Sequence, residues 1–439
     1  MPIFGLDAML LATLVLVVTY AVIISEKVNR AIVALLGAGT MIMLGVLNQE
    51  AAIRGIDFNT IALLVGMMII VAITKRCGVF QYIAIRATKQ VKADPAGILL
   101  TLQAVTAVLS ALLDNVTTVL LVVPVTLIIV EELKLKPYPF LVAEIFASNI
   151  GGTATLIGDP PNILIGSQVG LTFNDFLINT APIAILVMIV QAAIFHVLWG
   201  RGMTAAEEDR ERVMGFREID AITDWALLKK SVAVIGLVTI GFVTHHALGL
   251  QPGTIALTAA ALLMLLDSLG RDAEAQSEGV HHTFGEVEWI TIFFFIGLFV
   301  VIAGVERSGL LELLAHEMVA ATGGNLAVTA ITILWASAVL SAIVDNIPFV
   351  ATMIPLIKAM GPTFGGAEAL EPLWWSLSLG ACFGGNGSLV GASANLTVAG
   401  LAERSGHPIR FLPFLKLAFP MMFVSIIMST VYVTLRYLI

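Results

Sequence analysis

The chain carries one polar motif twice, embedded in apolar sequence. Leu109-Ser110-Ala111, Asp114-Asn115-Val116 and Pro124 recur as Leu340-Ser341-Ala342, Asp345-Asn346-Ile347 and Pro355. A second pair follows each copy. Gly151-Gly152-Thr153-Ala154-Thr155-Leu156, Gly158 and Asn162 recur as Gly384-Gly385-Asn386-Gly387-Ser388-Leu389, Gly391 and Asn395. Duplicated, Gly/Pro-interrupted apolar segments with polar residues at the interruption point to the binding site of a secondary transporter. The duplication also requires a fold made of two related halves.

The 439 residues are 58% hydrophobic and only 12% charged, where a soluble domain carries about 25% charged residues. Several runs reach the ~20 apolar residues that cross a bilayer. The expected class is an all-α polytopic membrane protein of two inverted repeats. Each repeat has about five transmembrane spans, a re-entrant hairpin and a broken helix. Residues 1–199 form the first repeat, with its hairpin near 96–133 and broken helix at 139–168. Residues 200–227 form a polar cytoplasmic linker. Residues 228–439 form the second repeat, with its hairpin near 324–360 and broken helix at 373–402. Residues 1–24 lack a basic n-region and a small-residue cleavage site, so they read as a retained first helix.

The arms of each hairpin are expected to be half-length helices meeting at Asp114-Asn115 and Asp345-Asn346. Five crossings per half is an odd number, which inverts the second half relative to the first. With both termini outside a cell (inner) membrane, 19 of the 23 Lys and Arg, Arg30 among them, fall in inside loops. Only Arg54, Arg307, Lys358 and Arg436 lie outside. That skew follows the positive-inside rule. Val79–Lys92 is amphipathic and basic and reads as an interfacial helix at the inner surface, with 306–322 as its outer counterpart.

A carboxylate at bilayer depth costs at least ~2.5–3.5 kcal/mol, which marks Asp114 and Asp345 as functional candidates. Either they only cap the following half-helices, or they cap and also bind an ion or proton. Asn115, Thr117, Thr118 and Asn346 accompany them at the tips. Gly151, Gly152, Thr153, Thr155, Gly384, Gly385, Asn386, Gly387 and Ser388 sit where the spans must unwind. Unwound carbonyls suit a cation and half-helix N-termini suit an anion; the alternative for the glycines is close helix packing. Gly158-Asp159-Pro160-Pro161-Asn162 restarts a helix, with Asp159 or Asn162 capping it or facing a cavity, and Asn395 repeats Asn162. Glu144 has no acidic counterpart, position 377 being Leu. It is either a proton carrier or an interfacial residue paired with a basic loop. Asp57 and Glu288 start equivalent spans and read as interfacial.

Cys77 and Cys382 are too far apart in sequence for a disulfide framework. Cys382 is a candidate metalloid contact or a small hydrophobe. His245-His246 and His281-His282 read as loop residues without metal-ligand spacing, so no metal site is expected. No cofactor is expected beyond coupling to H+ or Na+. No basic stripe for nucleic acid is present.

The strings around Asp114-Asn115-Val116-Thr117-Thr118, Ile150–Asn162, Asp345–Pro355 and Gly380–Asn395 resemble the ion transporter superfamily. Within it they are similar to the ArsB/NhaD-type permeases, on the branch of the pink-eyed dilution P protein and its bacterial relatives. The resemblance covers most of the chain beyond residue 50. It implies a homodimer and elevator-type alternating access, with members that export arsenite or antimonite, exchange sodium for protons, or carry citrate and dicarboxylates. The dicarboxylate branch has Ser-Asn-Thr at both tips. Here the Ser positions are Asp114 and Asp345, and Pro348 replaces the second Thr. With two added carboxylates and no Lys or Arg expected in the site, the reading is proton-coupled efflux of arsenite/antimonite. The alternatives are a sodium/proton antiporter or an anion carrier. Its partners would be a small inorganic solute or ion, the lipid bilayer, a second copy of the chain and, for ATP coupling, a separate ATPase subunit. The chain reads as a permease rather than an enzyme: two membrane aspartates without a GxGD segment do not make an aspartyl protease.

Overall fold

The computed structural model describes residues 7–25 and 27–439, all helix, turn and coil without a strand among them. Part of the expected first helix, the span from 6 to 24, therefore falls outside the described residues. Eighteen principal helices divide into two sets of nine. The first set is α1 (Ala8–Ser25), α2 (Arg30–Met43), α3 (Phe58–Lys75), α4 (Val79–Gln90), α5 (Pro95–Leu112), α6 (Asn115–Glu132), α7 (Tyr138–Thr153), α8 (Pro160–Val169) and α9 (Ala181–Leu198). The second is α10 (Trp225–Leu248), α11 (Pro252–Ser268), α12 (Trp289–Arg307), α13 (Leu310–Ala321), α14 (Leu326–Ile343), α15 (Asn346–Ala359), α16 (Glu371–Gly384), α17 (Ser393–Arg404) and α18 (Phe411–Val433). Each helix of the first set has its equivalent nine places later. Short connecting helices, such as Gln49–Arg54 and Ala273–Gly285, lie between them.

Among the described residues, nine helices are long and apolar enough to cross a membrane. Many of their large apolar side chains are exposed, as with Leu14, Val18, Leu36, Ile185, Ile189, Val232, Ile240, Ile427 and Val431. In water this would be an untenable surface; against acyl chains it is the required one.

The helices interlock between halves. α3 packs along α11, and α12 along α2. Both crossings depend on a glycine: a Cβ on Gly66 would lie 2.5 Å from the Ala256 carbonyl carbon, and one on Gly297 the same distance from that of Ala34. Such backbone approach is how membrane helices gain contact energy without a hydrophobic driving force between them. Within each half the hairpin arm packs on the broken helix, α5 on α7 and α14 on α16. The returning arm then crosses to the other half, α6 to α17 and α15 to α8.

Three local expectations change. The hairpin arms are not half-length: α5, α6 and α14 each have 18 residues and α15 has 14. At 1.5 Å per residue, 18 residues reach ~27 Å. His245-His246 and His281-His282 are not in loops. The first pair ends α10, and the second lies in the helix Ala273–Gly285. His245 is buried, with Nδ1 3.2 Å from the Leu250 carbonyl. The linker is also partly ordered. It holds the helix Glu207–Met214, and Lys89 of α4 donates to Glu218 Oε2 at 2.6 Å. The basic face of α4 is thus partly engaged by protein.

Candidate functional site

The two hairpin tips are built alike. In each, the helix ends one or two residues before an Asp whose carboxylate caps the next helix. Asp114 Oδ1 accepts from Thr117 N at 2.8 Å, and Oδ2 accepts from Thr117 Oγ1. Asp345 Oδ1 accepts from Ile347 N at 3.0 Å. Both aspartates are half-buried, so each can cap a helix and still meet a solute.

The tips are fastened to the breaks by matched bonds. Ser110 Oγ donates to the Ser148 carbonyl and Ser341 Oγ to that of Ala381. Thr155 Oγ1 donates to the Ala111 carbonyl and Ser388 Oγ to that of Ala342. Asn162 Nδ2 braces the first break by donating to the Thr153 and Thr155 carbonyls. Asn395 Nδ2 does the same for Gly385 and Ser388. These side chains satisfy the carbonyls that a broken helix orphans.

The glycines at the breaks are mostly packing residues. Gly151, Gly152 and Thr153 are still helical, and the unwound stretch is 154–159. A Cβ on Gly151 would fall 2.2 Å from the Ala107 carbonyl oxygen, and one on Gly384 2.6 Å from that of Ala338. A Cβ on Gly152 would fall 2.5 Å from the Gly158 carbonyl oxygen. Close approach is therefore the physical reason for these three, in place of expected unwinding.

The halves join through an asparagine that the sequence reading missed. Asn149 Oδ1 accepts from Asn115 Nδ2 at 3.1 Å. Asn149 Nδ2 donates to Asn386 Oδ1 and Asn395 Oδ1 at 2.9 and 2.8 Å. All four are buried. Asn149 escaped notice because its counterpart is Cys382, which breaks the repeat pattern. The first tip is thus one side chain away from the second break.

The tips open on one cavity of about 470 Å³. Of the residues singled out in the sequence, Asp114, Asn115, Thr117, Asp159, Asp345 and Asn346 line it. Asn115 Oδ1, Asp159 Oδ2 and Asn346 Nδ2 are buried and have no hydrogen-bond partner among the described residues, and buried polar atoms of that kind are costly unless something meets them. Asp159 starts α8 but makes no side-chain cap; its Oδ1 accepts instead from Asn115 Nδ2 at 3.2 Å. The remaining sequence candidates, Thr118, Gly152, Thr153, Thr155, Asn162, Gly385, Asn386, Ser388 and Asn395, lie behind this lining. Glu144 also stands apart. It is buried and takes a bond from Thr126; among the described residues its Oε2 is unpartnered and no basic group pairs with it, unlike the interfacial pairing considered from sequence. Cys382 is buried against Asn162 Oδ1 at 3.5 Å and does not line the cavity, so it is not placed to touch a metalloid there.

Two further corrections concern charge. The expectation of a site without Lys or Arg fails. Arg30, at the first position of α2, reaches into the cavity and donates from Nη1 to Asp345 Oδ2 at 2.8 Å. Glu288, expected at the interface, sits at the cavity rim. Asp57 does what a span-starting Asp should, accepting from Asn59 N and Thr60 N. Among the described residues no His/Cys/Asp/Glu cluster could hold a metal ion.

Residues 20–380 match the family described as citrate transporter. The chain belongs to that family. An uncharacterized transporter of Mycobacterium tuberculosis (strain ATCC 25618 / H37Rv) is 43% identical to this citrate transporter family member over 97% of this chain and 98% of its own. The 46 kDa membrane protein of Mycobacterium leprae is 41% identical over 98% and 99%. The human P protein is 32% identical over 98% of this chain and 60% of its own length. The crystal structure of the Alcanivorax borkumensis YdaH transporter aligns over 98% of this chain and 97% of its own. Its TM-score is 0.58 at 14% identity, a likeness of fold. The family member is a multi-pass membrane transporter of two inverted repeats.

Proposed function

We propose that the protein is a proton-coupled secondary transporter whose solute occupies the cavity between the two tips. The observation that carries this reading is the charge of the lining. Among the described lining residues, Asp114, Asp159, Glu288 and Asp345 face a single guanidinium, Arg30. A surplus of carboxylates favours a cation, or a neutral solute exchanged for protons, over a multivalent anion. Arsenite and antimonite, as the neutral acids they form near pH 7, are the first substrates under this reading, moved outward by elevator-type exchange. The tip carboxylates Asp114 and Asp345 form the coupling site for proton and solute, and Glu144 is a second proton carrier behind it. A second reading, an anion carrier, is favoured by Arg30 and by the citrate transporter name of the family.

The test is proton flux in everted vesicles, with arsenite, antimonite, sodium and citrate added separately, for wild type, Asp114→Asn and Asp345→Asn. Proton movement evoked by arsenite or antimonite, and reduced at least ~10-fold by Asp114→Asn, supports the proposal. A response to sodium alone replaces it with a sodium/proton antiporter. A response to citrate alone replaces it with the anion reading.

A further inference from the structure

The two repeat-related aspartates have different partners. Asp114 spends both oxygens on Thr117, one on its N–H and one on its hydroxyl. At the second tip Pro348 stands where Thr117 stands in the first. Proline has neither an N–H nor a hydroxyl to offer, so Asp345 keeps one oxygen for the cap and leaves Oδ2 free. Arg30 takes that oxygen at 2.8 Å, together with Ser393 Oγ at 3.0 Å.

Arg30 is itself held in place. Its Nη1 also donates to Ser393 Oγ at 2.8 Å, its Nη2 to Thr291 Oγ1 at 3.3 Å, and its guanidinium carbon lies 5.1 Å above the Phe294 ring. A planar guanidinium suits this combination of hydrogen bonds and ring stacking, and a lysine would not reproduce it. The pair is largely shielded, with side-chain exposures of 27% and 14%. The first tip has no such cation: α11, the equivalent of α2, begins with Pro252. Among the described residues, the charged ones lining the cavity are Arg30, Asp114, Asp159, Glu288 and Asp345.

We propose that Arg30 is a tethered counter-cation for Asp345, which makes the two tips inequivalent and leaves Asp114 to take the exchangeable cation. This deepens the ion coupling proposed above and rests on it. The protein's own guanidinium does at the second tip what a proton or sodium ion does at the first. A coupling ion reaches Asp345 only by displacing Arg30, so Arg30 sets how many ions accompany each solute. Arg30 is a positioning residue, acting through Asp345.

The experiment uses the full chain as wild type, Arg30→Lys, Arg30→Gln, Asp345→Asn and the double variant Arg30→Gln/Asp345→Asn. Flux is measured against proton concentration without sodium, and against sodium at fixed pH. The Tm of each purified protein is followed over the same titrations. With Arg30→Gln, Asp345 becomes a vacant ion site. The Hill coefficient for the driving ion should rise, its half-saturating concentration should shift about tenfold, and Tm should depend more steeply on ion concentration than in wild type, by the increment of a second bound ion. Arg30→Lys should fall between, and the double variant should return to the wild-type ion dependence. An Arg30→Gln protein with wild-type Hill coefficient, half-saturation and Tm response overturns the proposal. So does a double variant that still behaves as Arg30→Gln. Should Arg30→Gln fail to fold, Arg30→Lys against the double variant makes the same comparison. If wild type moves no ion at all, the transport reading fails, while the Tm titrations still decide whether Arg30 screens Asp345.

Discussion

Asn149 ties the first tip to the second break. It accepts from Asn115 and donates to Asn386 and Asn395, all in buried surroundings. A net hydrogen bond contributes about 1 kcal/mol, and an orphaned buried partner costs more. Asn149→Ala removes three such bonds and should therefore lower stability by about 2–4 kcal/mol, read as a fall in Tm of the purified protein. Asn162→Ala, which frees the Thr153 and Thr155 carbonyls and the Ser378 hydroxyl, should cost a comparable amount. Asn149→Cys, the residue found at the equivalent place in the second half, should be no better than alanine, because a thiol cannot bridge three amides.

The elements meet where glycine permits it. Gly297 sits against the Ala34–Leu35 backbone and Gly66 against Ala256–Leu257. Backbone cannot step aside as a flexible side chain can, so Gly297→Ala should destabilise by about 1–3 kcal/mol through overpacking. Gly66→Ala should do the same at the matching crossing. Gly400, inside α17 with open space around it, is the contrast. Gly400→Ala should be neutral or stabilise by about 0.5–1 kcal/mol, since alanine loses less entropy in a helix. A thermal-denaturation series of the three variants checks all of this. Equal effects at Gly297 and Gly400 would remove the packing account of the crossings.

At the scale of the whole molecule, the halves are joined by a linker that is tied down by charge. Asp209 accepts from Lys134 at the end of α6 and from Arg212, and these cations hold its carboxyl below the ordinary carboxylate range. Lys89 likewise lowers that of Glu218. A lowered carboxylate pKa contributes stability above the unfolded value, ~3.9 for Asp, and loses it as pH falls through the folded value. Linker docking should thus be constant from pH 8 to about 5 and weaken only below about pH 4. Hydrogen exchange across residues 203–224 measures it, and a change centred near neutral pH would rule these carboxylates out as the tether.

The duplicated Asp-Asn and Gly-Gly strings determined the two-part architecture, both hairpin tips, both breaks and four of the cavity-lining residues, Asp114, Asn115, Asp345 and Asn346. They could do so because a bilayer allows broken helix and carboxylate only where function or protein contact compensates. The helix boundaries followed for the same reason: apolar length is set by the membrane rather than by partners. What only the tertiary structure decided are the relations between distant segments. Arg30 reads as a loop cation in sequence, yet lies beside a carboxylate 315 positions on. Asn149 bridges the halves because it departs from the repeat. Thr155, Asn162, Ser388 and Asn395 look like ligands but spend their polar atoms on orphaned carbonyls. A residue's type states which bonds it can make; only the packing of helices far apart in the chain states which partner claims them.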